Sequence, residues 1–416
     1  MLRLVYYEIR KNYLRSYVLA AILLFLVLNA CMIYRGYVSG DGLMGYFMPH
    51  TRDTKVEWDF YHRMHRQLDG PLTADKARYV SDEYERLSAL TADGTYNEQG
   101  QTDTYTGHIW NDYVMITKYF YEPMKYAASY EKEIEQVVVK AKDNVSFYQN
   151  YNNSYEQAKN KYIQDHYSGR KIPVFYDGKP WELLFNYRFS DLLILLLMLL
   201  GLVPIYAHEK ETKMDDLMMS SRRGKGNMGL AKVLSAFIYI ACLLLMFSGV
   251  NLATFAALYR LSGAGMPVYA IEAYQYTPVS LSVGGFYILL ILLKMIGLAV
   301  AGLGLCLLSA LFQRVIYPYL LGVLLFISGL YASGYLASVE AGYMVWALVS
   351  PFSLLKGHEL LIDLLGVNIG YTFVLRLTVC VILQLIISIV LYGVIRLFST
   401  SSRFSRSTGF AVKEGA

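Results

Sequence analysis

Six uninterrupted apolar runs constrain this chain more than anything else in it: about 17–34, 189–207, 231–259, 285–311, 315–337 and 377–398. A helix needs about 20 residues to cross hydrocarbon. Hydrocarbon offers no partner to an open backbone hydrogen bond, so each run has to be helical. Only Gln313-Arg314 parts the fourth run from the fifth, and that polar pair predicts a tight turn between two helices. Charge is concentrated elsewhere. Residues 35–188 carry 19 Lys and Arg and 22 Asp and Glu. The chain as a whole is 17% charged, against about 25% in soluble domains. A simple soluble domain, a collagenous chain and a disordered one are therefore excluded. The pattern predicts an all-α polytopic membrane protein with six transmembrane helices. Residues 1–34 form an amphipathic helix and the first span, 35–188 a mainly helical extracellular domain, and 189–416 the other five spans with a cytoplasmic loop at 208–232.

Orientation follows from Lys and Arg in the short connections, which stay on the cytoplasmic side. Arg3, Arg10, Lys11 and Arg15 precede the first span, and Lys210, Lys213, Arg222, Arg223, Lys225 and Lys232 follow the second. Arg314, Arg396, Arg403, Arg406 and Lys413 fall on the same side, whereas the opposite short loops hold only Arg260, Lys356 and Arg376. Both termini are expected in the cytoplasm of a bacterial cell, with 35–188 outside its plasma membrane. The net charge of +5 reports this topology and not a nucleic-acid partner. A basic start before an apolar run also fits a cleaved signal peptide, and Leu28-Asn29-Ala30-Cys31 resembles a lipoprotein cleavage box. The run is long for a signal and Asn29 is unusual there, so it is read as the first span. Cys31, Cys242, Cys306 and Cys380 all lie in spans. The insert must fold without disulfides, which its size permits, and it has no thiolate zinc site.

Within the insert, Thr73-Ala74-Asp75 opens a helix carrying Val80, Tyr84, Leu87 and Leu90 at helical spacing. A second helix repeats Ala127, Tyr130, Ile134, Val137, Ala141, Val145 and Tyr148, although Val137-Val138-Val139 alone would suit a strand. Asn153 caps a third over 154–167. Pro173, Asp177-Gly178 and Pro180 predict a hairpin or extended return to the membrane. The insert holds 19 of 38 tyrosines; these offer area and a polar handle to peptides or glycans, though such residues more often serve packing. His62 and His65, with Glu57 and Asp59, have metal-ligand spacing, but a solvated helix face is the plainer expectation.

No engine is encoded in the chain. Arg223-Gly224-Lys225-Gly226 lacks the leading glycine of a phosphate cradle. His208-Glu209 and His358-Glu359 each lack the second His of a helical zinc motif, since Thr212 and Ile362 stand there. No Ser/His/Asp set stands out, so an enzyme is not expected and no cofactor or metal is called for in this chain. The informative segment is 208–232. It reads as a short amphipathic helix with Met214, Leu217 and Met218 on one face, acids early and bases late, as the helix dipole prefers. Such a knob suits insertion into a partner's groove; the plain alternative is a solvated turn obeying the charge rule.

This loop resembles the signature of the membrane subunits of ABC transporters of the ABC-2 (exporter permease) type. In that family two acidic residues leave the second span, a leucine-rich helix and a Ser with a basic region follow, and a Lys opens the third span. Glu209, Glu211, Leu217, Ser220 and Lys232 match those positions. Lys213-Met214, Arg222 and Ala231 replace the usual Gly-Thr, Pro and Gly. The likeness extends to the six-helix plan, the amphipathic start with Leu2, Val5, Tyr6, Ile9 and Tyr13 on one face, and Ser350-Pro351-Phe352 after the fifth span; it does not cover the insert. The resemblance implies a separate cytoplasmic ATPase that binds ATP and Mg and pushes on this loop, and a second permease, either identical or different. A non-transporting ABC component that passes ATPase motion outward is the alternative.

Lys294 is the one full charge well inside an apolar run, and burying it is costly, which makes it a functional suspect. Asp191, near the outer end of the second span, can pair with it; a structural pair and a transport path are the two readings. Gly297, Ala301 and Gly304 form a small-residue stripe on the same helix, as close helix packing requires.

Overall fold

The computed structural model describes residues 1–40, 54–92, 104–214, 224–336, 338 and 340–400. Among them are six helices long and apolar enough to cross a membrane: Ser16–Ser39, Lys179–Glu211, Met228–Tyr259, Val283–Leu311, Ile316–Tyr335 and Arg376–Leu397. The chain is a multi-pass, mostly helical membrane protein. The first span ends on Gly40 in the left-handed region (φ 64°), where the absence of a Cβ removes the penalty. Ser282 starts the fourth by accepting from the Gly285 N–H, one of the orphan donors of a helix start.

The amphipathic helix expected at the start of the chain is Leu2–Asn12, and it buries polar groups as well as apolar ones. The N-terminal helix Leu2–Asn12 buries Val5, Glu8 and Asn12, while Leu2 and Tyr6 are 83% and 57% exposed. Its inner stripe is therefore partly polar, because it faces a charged cluster described below. Of the amphipathic helix expected in the 208–232 loop, only the residues up to 214 are described before the chain resumes at 224. The second span's helix ends at Glu211, and Lys213 adopts a left-handed conformation (φ 57°). Residues 215–223, including Leu217 and Ser220, lie outside the described residues.

The second span itself is divided into Phe189–Leu202 and Pro204–Glu211. Pro204 has no N–H and crowds the preceding turn. The gap is closed by Ser309 of the fourth span, fully buried. Its hydroxyl donates to the Val203 carbonyl at 2.6 Å and accepts the N–H groups of Tyr206 and Ala207, both at 3.0 Å.

In the insert, Ala74–Ala92, Glu122–Asn150 and Ser154–Tyr167 are the three expected helices. Asn153 caps the last, accepting from the Glu156 N–H at 3.2 Å. Val137–Val139 are helical because they continue a long amphipathic stripe. The helix face expected around His62 and His65 belongs to Thr54–Leu68, whereas Ile109–Ile116 has no counterpart among the expected helices; it passes through a π turn at Thr117–Tyr121 into Glu122–Asn150. The return is extended for two residues, with Val174–Phe175 antiparallel to Gly70–Pro71, before the helix Lys179–Asn186.

The connection between the fifth and sixth spans is not a plain loop. It contains the apolar helix Ala341–Val349, a turn of 3-10 helix at Pro351–Lys356, and a hairpin pairing Gly366–Ile369 with Thr372–Leu375. The turn residues Gly370 and Tyr371 both have positive φ, the conformation that matches strand twist in tight hairpins. Its helical part sinks among the spans. Ser350 donates to the Gly329 carbonyl at 2.8 Å, and Gln384 of the sixth span donates to the carbonyls of Leu348 and Val349 at 3.2 and 2.9 Å. Irregular backbone at this level is tolerated when protein surrounds it and meets its polar groups. One buried apolar cluster runs from Trp58, Phe60 and Tyr61 of the insert to Phe286 and Leu290 of the fourth span and Cys380 of the sixth.

Candidate functional site

Three polar constellations sit in this otherwise apolar scaffold. The first is at the end of the bundle that carries the N-terminal helix. Glu209 is 3% exposed and Lys232 likewise. The Glu209 carboxylate accepts from Lys11 on one oxygen and from Lys232 on the other. Lys232 also donates to the Ile205 carbonyl at 3.2 Å and lies over the Tyr206 ring. Glu8, buried beside them, accepts from Asn12 at 3.0 Å; burial pushes its carboxyl above the ordinary range, against the pull of Lys232 and Lys11. Glu209 and Lys232 are thus joined to each other rather than offered to solvent, and they tie the N-terminal helix to the second and third spans. Glu211 and Met214, in contrast, are exposed. The sequence places all four on one loop; the fold divides them into an internal clasp and an exposed edge.

The second constellation lies within the spans. Lys294 donates to both carboxylate oxygens of Asp191, at 2.8 and 2.9 Å. Next to the pair, Asn29 of the first span donates to Asn251 of the third at 2.6 Å, and Asn251 donates to Ser190 at 3.0 Å. Tyr187 donates to the Asn29 side chain at 3.0 Å. A cavity of about 20 Å³ lined by Asp191, Lys294, Ser190 and Asn251 has room for about one water. Sequence reasoning found the ion pair but not the amides. The signal was present, since an amide in an apolar run needs a partner.

The third constellation explains the tyrosines. Tyr126, Tyr130 and Tyr162 donate their hydroxyls to the carbonyls of Tyr269, Gln275 and Pro278, at 2.8, 3.1 and 3.2 Å, and Tyr167 donates to that of Tyr276. Arg170, 4% exposed, adds bonds to the Thr277 carbonyl at 3.0 Å and the Ser280 hydroxyl at 3.2 Å. These side chains bolt the insert to the connection between the third and fourth spans. Nor is the His62 and His65 helix a solvated face. Glu57, His62 and His65 are 0%, 7% and 6% exposed, because this helix is covered by the rest of the insert. Among the described residues no group of His, Cys, Asp and Glu could hold a metal ion.

A scan against family models, a search of curated proteins and a search of solved structures each find no match to this chain.

Proposed function

We propose that the chain is the membrane-spanning permease subunit of an ATP-driven exporter of the ABC-2 type, with both termini in the cytoplasm. The observation that carries this reading is the clasp at Glu209. A detached motor can shift the equilibrium between two states of a bundle only if the element it pushes is stiff and docked on what must move. Lys11 and Lys232, closing on one buried carboxylate, join the N-terminal helix, the second span and the third span into such a unit. The loop that resembles the permease signature begins directly after it, with Glu211 and Met214 exposed for contact. Removing one member of a buried ion pair strands the other charge and costs about 3–5 kcal/mol, so losing Lys232 would unsettle the unit. The partners on this reading are a cytoplasmic ABC ATPase carrying ATP and Mg, a second permease, and the bilayer. The Asp191–Lys294 pair and its amides, at the meeting of four spans, are the place where a polar substrate would be felt within the membrane.

Co-purification from intact membranes tests the reading. A cytoplasmic nucleotide-binding protein should come down with the chain, and vanadate-sensitive ATP hydrolysis with it. Leu217→Asp should leave insertion intact and abolish that association. Recovery of no such companion, or labelling of Glu211 from outside the cell, overturns the proposal. The outward-transmitting alternative is favoured by one feature, the bolting of the insert to the span connections. It predicts hydrolysis without any movement of solute.

A further inference from the structure

A cavity of about 300 Å³ lies at the seam between the insert and the 261–282 connection, at the lower end of the sizes at which small-molecule sites occur. Its floor is polar and deeply buried: Tyr61, His65 and Asp177 are 0%, 6% and 6% exposed. Tyr61 donates to Asp177 at 2.6 Å, and the Lys179 N–H donates to the other Asp177 oxygen at 3.1 Å. His65 meets Asp69 through Nδ1 at 3.0 Å, while its Nε2, 3.6 Å from Asp177, has no hydrogen-bond partner. Two carboxylates therefore share one imidazole; with both ionised and His65 protonated one negative charge is left over, while burial pushes the Asp177 carboxyl above its ordinary range and so favours a cation that would restore its charge. Lys76 donates only to the backbone carbonyls of Leu68 and Asp69, and it is not among the residues lining the cavity.

The rim has the same sign. Lys118 with Glu122 and Lys179 with Glu182 are closed pairs at 2.9 Å. Glu272, across the seam, is exposed and has no ion-pair partner among the described residues. The rest of the lining is apolar, with Tyr119, Tyr126 and Phe175 among aliphatic side chains such as Ile172, Met266 and Ile271. Aromatic side chains lining a cavity with a buried carboxylate are the chemistry that holds an organic ammonium, through ring quadrupole and charge together. A neutral or anionic ligand would leave the surplus charge unmet.

We propose that this seam binds a small organic cation, a primary amine with an aromatic or compact apolar body, its ammonium facing Asp177 and its body against the Tyr126 and Phe175 wall. The occupant would bridge the insert and the connection of the third and fourth spans, bracing one against the other. The proposal is independent of the export reading, since binding is read on the isolated chain.

Calorimetry on the purified full chain in detergent near neutral pH tests it with three probes of one shape: tyramine, its neutral alcohol tyrosol, and anionic 4-hydroxyphenylacetate. Tyramine should bind saturably, tyrosol about tenfold more weakly, and the acid not at all. Asp177→Asn, which removes the charge but keeps an acceptor for only one of the two donors, Tyr61 or the Lys179 N–H, should weaken tyramine about tenfold. Glu272→Gln, on the exposed rim, should weaken it about threefold and keeps the test decisive if the first variant fails to fold. Equal binding of tyramine and tyrosol, no saturable tyramine binding, or tyramine affinity unchanged in Glu272→Gln and in any folded Asp177→Asn protein would overturn the proposal.

Discussion

His62 and His65 lie one turn apart on Thr54–Leu68, yet the fold drives them in opposite directions. Burial, with Arg260, His65 and Arg66 nearby, pulls His62 down to about 4. Burial opposes charge on His65 too, but Asp177 and Asp69 outweigh it and hold that imidazole above its ordinary value. The consequences for stability differ in sign. For His62 the unfolded chain takes up the proton first, so stability falls as pH drops from about 6.5 towards 4, by about 2 kcal/mol at pH 5. For His65 the contribution is present below about 6.5 and is lost as pH rises through its raised folded value. Thermal unfolding at neutral pH and at about pH 5 should therefore show a smaller acid loss in His62→Phe than in the wild type. Equal losses would mean that His62 is not the source. Neither residue's role was legible in sequence, because i,i+3 spacing shows only a shared face and not whether other helices cover it.

At the scale of elements, the connection 338–376 departs most from what its sequence announces. Ala341–Val349 is too short to span a bilayer, and Pro351 marks a break, so a solvent loop is the natural expectation. Its place is set by residues far away in the chain. A Cβ at Gly297 would meet the Pro351 carbonyl, and one at Gly329 would meet the Phe352 ring. The small-residue stripe on the fourth span thus admits this segment rather than only another span. Gly297→Val should cost about 1–3 kcal/mol as an overpacked contact. Gly304→Val, where an added group would meet only Leu325 at 3.6 Å, should cost much less in the same detergent melts. Comparable losses at both positions would remove the special role of Gly297. The interrupted second span teaches the same lesson: Pro204 announces a break, but only the fold supplies Ser309 to satisfy it.

Across the whole molecule, the insert and the spans share one continuous apolar cluster, and four tyrosine hydroxyls with Arg170 bolt the insert to the connection of the third and fourth spans. Bonds to a charged group contribute about 1.5–3 kcal/mol, and Arg170 also stacks on Tyr167 and Tyr269, at 4.2 and 5.0 Å. Arg170→Met should therefore speed hydrogen exchange of the 267–282 backbone by about tenfold while leaving Pro204–Glu211 unchanged. Unaltered exchange would show that the insert is held by apolar contact alone. The six membrane-crossing helices and the Asn153 cap could be read from the residues, because hydrocarbon leaves a backbone no second choice and a cap acts over three residues. Apart from the Asp191–Lys294 pair, distance in sequence hid which groups meet. Lys11, Glu209 and Lys232 close on one another, Asn29 finds Asn251, and Tyr126 finds Tyr269 only once the helices are packed. A local pattern records which groups need partners; only the folded chain decides which partners they meet.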